Sequence, residues 1–148
     1  MIKHNYLAII VMIIAHMVIG FLWYGVVFSE TWSHAALGKP VAEVQKQPMS
    51  AVPYIINIIG AACACFFISW LVQKLNITTF SGGLQLGVYA AIGLVFPALA
   101  THYLFLNISN TVLAIDLGMS ITLTILTAGV LAAWRKNKEG GTRRIKVQ

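Results

Sequence analysis

The chain has 148 residues, of which 59% are apolar and only 9% are charged, and its mean hydropathy is +0.82. This composition excludes an ordinary water-soluble domain, because such a domain needs a polar surface. The net charge of +6 does not indicate nucleic-acid binding, since residues 135–148 hold six Lys or Arg against one Glu, a net +5 of that total. The sequence therefore predicts an all-α integral membrane protein with a basic tail.

Four predominantly apolar stretches are each long enough to cross a bilayer. Gly, Pro and Asn punctuate the chain between them, as at Ser81-Gly82-Gly83 and at residues 107–110. We predict one transmembrane domain of four antiparallel helices over residues 1–134, followed by a disordered tail over 135–148. The predicted spans and the loop between the first two are residues 6–28, 51–73, 84–105 and 112–134, with the loop at 29–50.

The distribution of Lys and Arg predicts the orientation. Four spans place both termini on one side, and that side holds eight Lys or Arg, whereas the other side holds only Lys39 and Lys46. Basic residues favour the cytoplasmic side of a membrane. We therefore expect both termini in the cytoplasm and the 29–50 loop outside.

Two segments outside the spans are candidates for contacts with lipid or with a partner. Residues 30–38 are predicted to form a short helix that ends at Gly38, either lying on the headgroups or docking a partner. The tail is either a topology signal or a site for anionic lipid headgroups. Its basic residues are Arg135, Lys136, Lys138, Arg143, Arg144 and Lys146.

Polar side chains inside the spans are few, and such residues usually face the interior of a helical bundle. Helical spacing places each of them on a stripe of small or polar residues, and three of the four at one depth near the outer end. Aromatic residues are expected at the same level. The resulting candidate polar pocket consists of Asn57, His102 and Asp116, with His16 nearer the midplane and with Trp23, Tyr24 and Tyr103 beside it.

The polar layer admits two interpretations. Its side chains either hydrogen-bond only to hold the helices in register, or Asp116 and His102 form a pocket that binds a cation or small polar ligand or exchanges a proton. An enzyme is disfavoured, because the chain has no activated nucleophile, no phosphate-binding loop and no metal-ligand spacing. No cofactor is predicted. Cys63 and Cys65 are interpreted as small apolar fillers.

Two further features bear on helix packing. Gly83 and Gly87, four residues apart, permit a close approach of two helices, as do Gly129 and Ala133. Pro97 lacks a backbone N–H and is expected to kink the third span near the polar layer.

Several short motifs resemble those of a family of small bacterial membrane proteins with four spans, classified only as a domain of unknown function. The motifs are Asn5-Tyr6-Leu7-Ala8-Ile9, Gly20-x-x-Trp23-Tyr24, Phe28-x-x-x-Trp32, Thr101-His102-Tyr103-Leu104-Phe105 and Ile115-Asp116-x-Gly118. His102 and Asp116 stand where this family more often has amides, and Met119-Ser120 replace an aromatic residue and a His. The resemblance thus implies a hydrogen-bonding role at these positions and a bacterial inner-membrane location, but no activity.

The leading hypothesis is a small, non-catalytic, structural or regulatory membrane protein. The alternative is an oligomer that binds or conducts a small polar solute, cation or proton through the polar pocket. Partners left open are the lipid bilayer, a second copy of the chain and another membrane protein, whereas nucleic acid is excluded.

Overall fold

The computed structural model describes residues 4–48 and 50–135. This part of the chain is helical, without strands, and four of its helices are long and apolar enough to cross a membrane. Their bounds are Tyr6–Val27, Val52–Lys74, Phe80–Phe105 and Asn110–Ala133. The predicted fold class and number of spans are thereby confirmed. The tail beyond Arg135, with five of its six basic residues, lies outside the described residues.

The first span consists of α1 (Tyr6–Leu22) and a π-helical turn, Trp23–Val27. The connection to the second span contains α2 (Ser29–Leu37) and a single turn, α3 (Val41–Val44). The second span is α4 (Val52–Lys74). The third consists of α5 (Phe80–Ala90), a π-helical turn, Ala91–Val95, and α6 (Phe96–Phe105), and the fourth is α7 (Asn110–Ala133).

The third span begins earlier than predicted. Ser81-Gly82-Gly83 was expected to form a turn ahead of the span, but these residues lie in the first turn of α5. The hydroxyl of Thr79 accepts a hydrogen bond from the Gly82 N–H at 3.1 Å and so caps the helix. The turn interpretation was wrong because this cap overrides the low helix propensity of two glycines.

Irregular backbone occurs at two of the predicted positions. The π-helical turn Ala91–Val95 ends two residues before Pro97, whose missing N–H deprives the carbonyl of Gly93 of its helical donor. In the connection, α2 ends at Gly38, which adopts φ 67° in the left-handed region. The short helix predicted to end at Gly38 is therefore present.

Helices of the other three spans all contact α7. Core residues from α1, α4 and α7 meet in the half of the bundle that holds Ala8, Cys65 and Ala132. The helix α5 approaches α7 so closely that a Cβ added to Gly87 would lie 2.5 Å from the Cα of Ile125. A Cβ on Gly129 would lie 2.8 Å from Leu84 Cδ2. The close-packing role predicted for these glycines holds between α5 and α7.

Candidate functional site

Asp116, in the first half of α7, accepts three hydrogen bonds from side chains of three other elements. The hydroxyl of Tyr24 and the indole N–H of Trp32 donate to its Oδ1 at 2.9 and 3.0 Å. The hydroxyl of Tyr103 donates to its Oδ2 at 2.6 Å. We call Asp116, these three donors and Trp23 the Asp116 cluster.

The three donors to Asp116 are positioned by the elements on which they lie. Tyr24 lies in the π-helical turn at the end of the first span, and Tyr103 lies in α6 after the second π-helical turn. Such wide turns alter the direction of the following side chains and recur at functional sites. Trp32 comes from α2, so the carboxylate holds this connecting helix against the end of the bundle.

Trp23 completes the cluster through the backbone of α7. Its indole N–H donates to the carbonyl of Ile115 at 3.1 Å. The ring passes beside Gly118, where an added Cβ would lie 3.2 Å from Trp23 Cζ2. Gly118 therefore leaves room for the indole, and Trp23 and Tyr24 together bind two consecutive residues of α7.

The cluster contains a carboxylate and no cationic side chain. The ion pair found in the described part of the chain joins His34 to Glu30 at 3.0 Å on the exposed surface of α2, away from Asp116. Neutral hydroxyl and indole donors are the groups that solvate Asp116. Through these hydrogen bonds the Asp116 side chain joins three elements to α7.

A second polar contact lies deeper in the bundle. His16 Nε2 on α1 and the hydroxyl of the fully buried Thr127 on α7 lie 2.8 Å apart and form a hydrogen bond. Thr127 follows Asp116 by eleven residues, or about 17 Å along the helix axis. His16 is thus at the deeper level that the sequence predicts and outside the Asp116 cluster.

The hydroxyls between these two levels are occupied locally. Ser120 donates to the backbone carbonyl of Asp116 at 2.8 Å, and Thr124 donates to that of Ser120 at 2.7 Å. Among the described residues, no buried side-chain nitrogen or oxygen lacks a hydrogen-bond partner. The polar groups along α7 therefore stabilise the helix and its contacts.

Two predicted members of the pocket do not join it. His102 is exposed on α6 and contacts the ring of Tyr103 at a centroid distance of 6.0 Å, with no hydrogen bond to Asp116. Asn57 is exposed on α4, as are all residues from 51 to 60. The expectation that Asn57, His102 and Asp116 form one layer was wrong, because α4 makes its buried contacts further along the helix and α6 presents Tyr103 instead.

Trp32 is the cluster member that the predicted pocket omitted. It lies in the connection between spans, where a hydrogen bond to a span residue is hard to anticipate. The available signal was its place in the Phe28-x-x-x-Trp32 motif, which sets the two aromatic residues one helical turn apart. In the structure, Trp32 packs edge-on against Tyr24, with ring centroids 5.7 Å apart.

The opposite end of the bundle has its own polar contacts. His4 Nδ1 and the buried hydroxyl of Ser69 lie 2.9 Å apart, which joins the start of α1 to α4. The amide of Asn5 donates to the carbonyl of Trp134 at 2.7 Å, which joins the same segment to the end of α7. Hydrogen bonds therefore connect the spans at both ends of the fold.

These features define an all-helical protein with four potential membrane spans, in which one carboxylate within a span is bound by donors from its own chain. The chain belongs to the family of proteins of unknown function DUF1761, whose model matches residues 7–132. The family assignment is consistent with the resemblance seen in the sequence. No curated protein and no solved structure matches the chain.

Proposed function

We propose that this chain is a non-catalytic structural or regulatory component of a membrane. In this proposal, the hydrogen bonds of the Asp116 cluster hold the helices together at one end of the bundle. One observation carries the proposal: both carboxylate oxygens of Asp116 are engaged by Tyr24, Trp32 and Tyr103 of the same chain. The intramembrane group best suited to bind a ligand is thus used to join the first span, α2, the third span and α7.

The proposal includes a location and an orientation. The four apolar helices support insertion in a membrane, and the excess of Lys and Arg near the termini supports a cytoplasmic position for both ends. The Asp116 cluster and α2 would then lie at the outer face of a bacterial cytoplasmic membrane. The basic residues after Trp134 would contact anionic headgroups on the inner face.

A second candidate function is passage or binding of a cation or proton. The observation in its favour is that Asp116 has no cationic partner among the described residues and lies in line with Ser120, Thr124 and Thr127 on α7. The hydroxyls of Ser120 and Thr124 donate to backbone carbonyls of their own helix. These hydroxyls are therefore engaged by the helix itself, which favours a structural role for them over a role in ion or proton passage.

Flux measurements on the purified chain in liposomes separate the two functions. The structural proposal predicts proton and monovalent-cation flux equal to that of protein-free liposomes, with Asp116→Asn giving the same value. In native membranes, chemical cross-linking is expected to trap a discrete complex that contains the chain. Asp116→Asn should preserve that complex, because an amide can keep the hydrogen bonds of the cluster.

Flux above the liposome background that Asp116→Asn abolishes would contradict the structural proposal and assign permeation to the carboxylate. Thr124→Val serves as the matched control in both measurements. It removes a hydroxyl from the same helix, and that hydroxyl contacts only the backbone of Ser120.

A further inference from the structure

The outer half of α4 is defined as residues 52–60, which lie nearer the level of the Asp116 cluster, and it contains no buried residue. Every residue from 51 to 60 is exposed, whereas Ala61, Cys65, Ile68, Ser69 and Val72 are buried. A Cβ added to Gly60 would have no neighbouring atom within 4 Å. This half of α4 therefore projects from the bundle along one side.

Apart from Tyr54, the exposed segment is apolar except for one amide. Asn57 lies five residues after the first residue of α4, or about 8 Å along its axis. The helix has 23 residues and is about 35 Å long, against a hydrocarbon core about 30 Å thick. The Asn57 amide therefore lies within the apolar layer, and no hydrogen bond to it is found in the described part of the chain.

An amide in hydrocarbon favours a partner with both a donor and an acceptor, because Asn carries both. Asn57 shares a helix face with Gly60 and Ala64, at spacings of three and seven residues. The small side chains on this face permit the close approach of a second helix. The face thus combines a polar group that lacks a partner with the space for a neighbouring backbone.

We infer that this face, Asn57 with Gly60 and Ala64, is the contact between two copies of this chain. Copies of one chain inserted with the same orientation present Asn57 at the same depth. Two α4 helices that cross at this level therefore bring the two amides together, each donating to the other. A twofold interface of this kind uses the same surface on both subunits, and a buried Asn pair fixes the register of two parallel helices.

The inference rests on the proposed role of the chain as an assembly component and names its partner. A different membrane protein would need a polar group at this depth by a separate coincidence. A second copy supplies that group by identity. Self-association through α4 also leaves the Asp116 cluster unchanged, since α4 contributes no residue to it.

Disulfide cross-linking of the full chain in native membranes tests the inference. Cys63 and Cys65 are first replaced by Ala, and a single Cys is introduced by Ala64→Cys on the proposed face. The matched control is Ile59→Cys, because Ile59 is also exposed on α4 but points about 140° away around the helix from Ala64. We expect a product of twice the 16.2 kDa chain mass for Ala64→Cys, formed at least tenfold faster than for Ile59→Cys.

Asn57→Leu, introduced with Ala64→Cys, tests the role of the amide. Asn57 is exposed and has no hydrogen bond in the described part of the chain to lose, so the variant is expected to fold. Loss of an interhelical amide hydrogen bond should weaken association about 3- to 30-fold. Gly60→Leu, which fills the space at the crossing, should lower cross-linking at least as much.

Equal cross-linking rates at positions 64 and 59, or a rate at position 64 that Asn57→Leu leaves unchanged, would overturn the inference. A cross-linked product of some other mass at position 64 would also overturn it, while leaving an assembly role intact. Asp116-dependent flux, by contrast, would contradict the proposed function itself. The two failures are therefore distinguishable.

Discussion

At the residue scale, Asp116 is the polar side chain on which one end of the fold depends. Its three donors come from the first span, the connecting helix α2 and the third span. Removing the acceptor therefore leaves two hydroxyls and an indole N–H without their partner. Because the donors are neutral, a neutral acceptor of the same shape can replace much of the carboxylate.

Asp116→Asn and Asp116→Leu are predicted to separate hydrogen bonding from charge. The amide oxygen of Asn can accept from Tyr24 and Trp32 while its NH₂ donates to the Tyr103 oxygen, so the free energy of unfolding should fall by about 1 kcal/mol or less. Leu removes three hydrogen bonds at about 0.6 kcal/mol each, a loss of about 2 kcal/mol or more. Reversible unfolding in mixed detergent micelles measures both.

Thr124→Val is the control for these variants, with an expected change below about 0.6 kcal/mol because only an intrahelical hydrogen bond is lost. If Asp116→Asn and Asp116→Leu destabilised the protein equally, charge and not hydrogen bonding would be the requirement. That outcome would contradict the proposal that hydrogen bonds to Asp116 hold these elements together.

At the element scale, the contact of α5 with α7 requires glycine at particular positions. Gly83, Gly87 and Gly129 each face atoms of the neighbouring helix that a Cβ would displace, and at Gly83 and Gly87 those atoms include backbone. Backbone atoms cannot move aside as a flexible side chain can. The two helices would have to separate to accept a larger residue.

Gly87→Ala is predicted to lower the free energy of unfolding by about 1–3 kcal/mol through overpacking. Gly93 belongs to the same span, yet a Cβ there meets no atom within 4 Å. Gly93→Ala should therefore leave stability unchanged or raise it by up to about 1 kcal/mol, the difference in helix propensity. Thermal unfolding of the two variants, followed by far-UV circular dichroism, makes the comparison. Equal stabilities would show that α5 and α7 are not in close contact.

Sequence patterns predicted the presence of the helices better than their boundaries or the contacts between them. Hydropathy located the four spans because the apolar stretches are long, and Gly38 marked the end of α2 through its left-handed conformation. The start of α5 was missed because the Thr79 cap acts across the glycines that follow it. Helical phase identified Asp116, and the expected level of aromatic residues identified Trp23, Tyr24 and Tyr103. These residues lie on elements that do meet.

Asn57 and His102 were assigned to the same layer because they share a depth and each lies on a stripe of small residues. Depth does not specify which helices are neighbours, and α4 contributes its buried residues only from Ala61 onward. Trp32 was missed because it lies in the connection between two spans, where the periodicity of a span does not predict which side chains it meets. Whether Asn57, His102 and Trp32 contact Asp116 depends on how the helices are arranged in three dimensions, which the sequence pattern does not specify.

At the scale of the whole molecule, one end of the bundle is held by the Asp116 cluster and the other by the core of α1, α4 and α7. Asn57, on the exposed outer half of α4, has no hydrogen bond within the described part of the chain. A dimer through that half would complete the packing of α4 and bring a polar amide into a hydrogen bond. The proposed role of this four-helix subunit is therefore assembly within the membrane.

Native mass spectrometry of the full chain, extracted gently from its own membrane, tests this claim most directly. The predicted result is a dimer with twice the 16.2 kDa chain mass and no discrete small polar molecule retained, with Asn57→Leu shifting the spectrum to monomer. A monomer of the unaltered chain, or a subunit that carries a small polar ligand lost on Asp116→Asn, would contradict it.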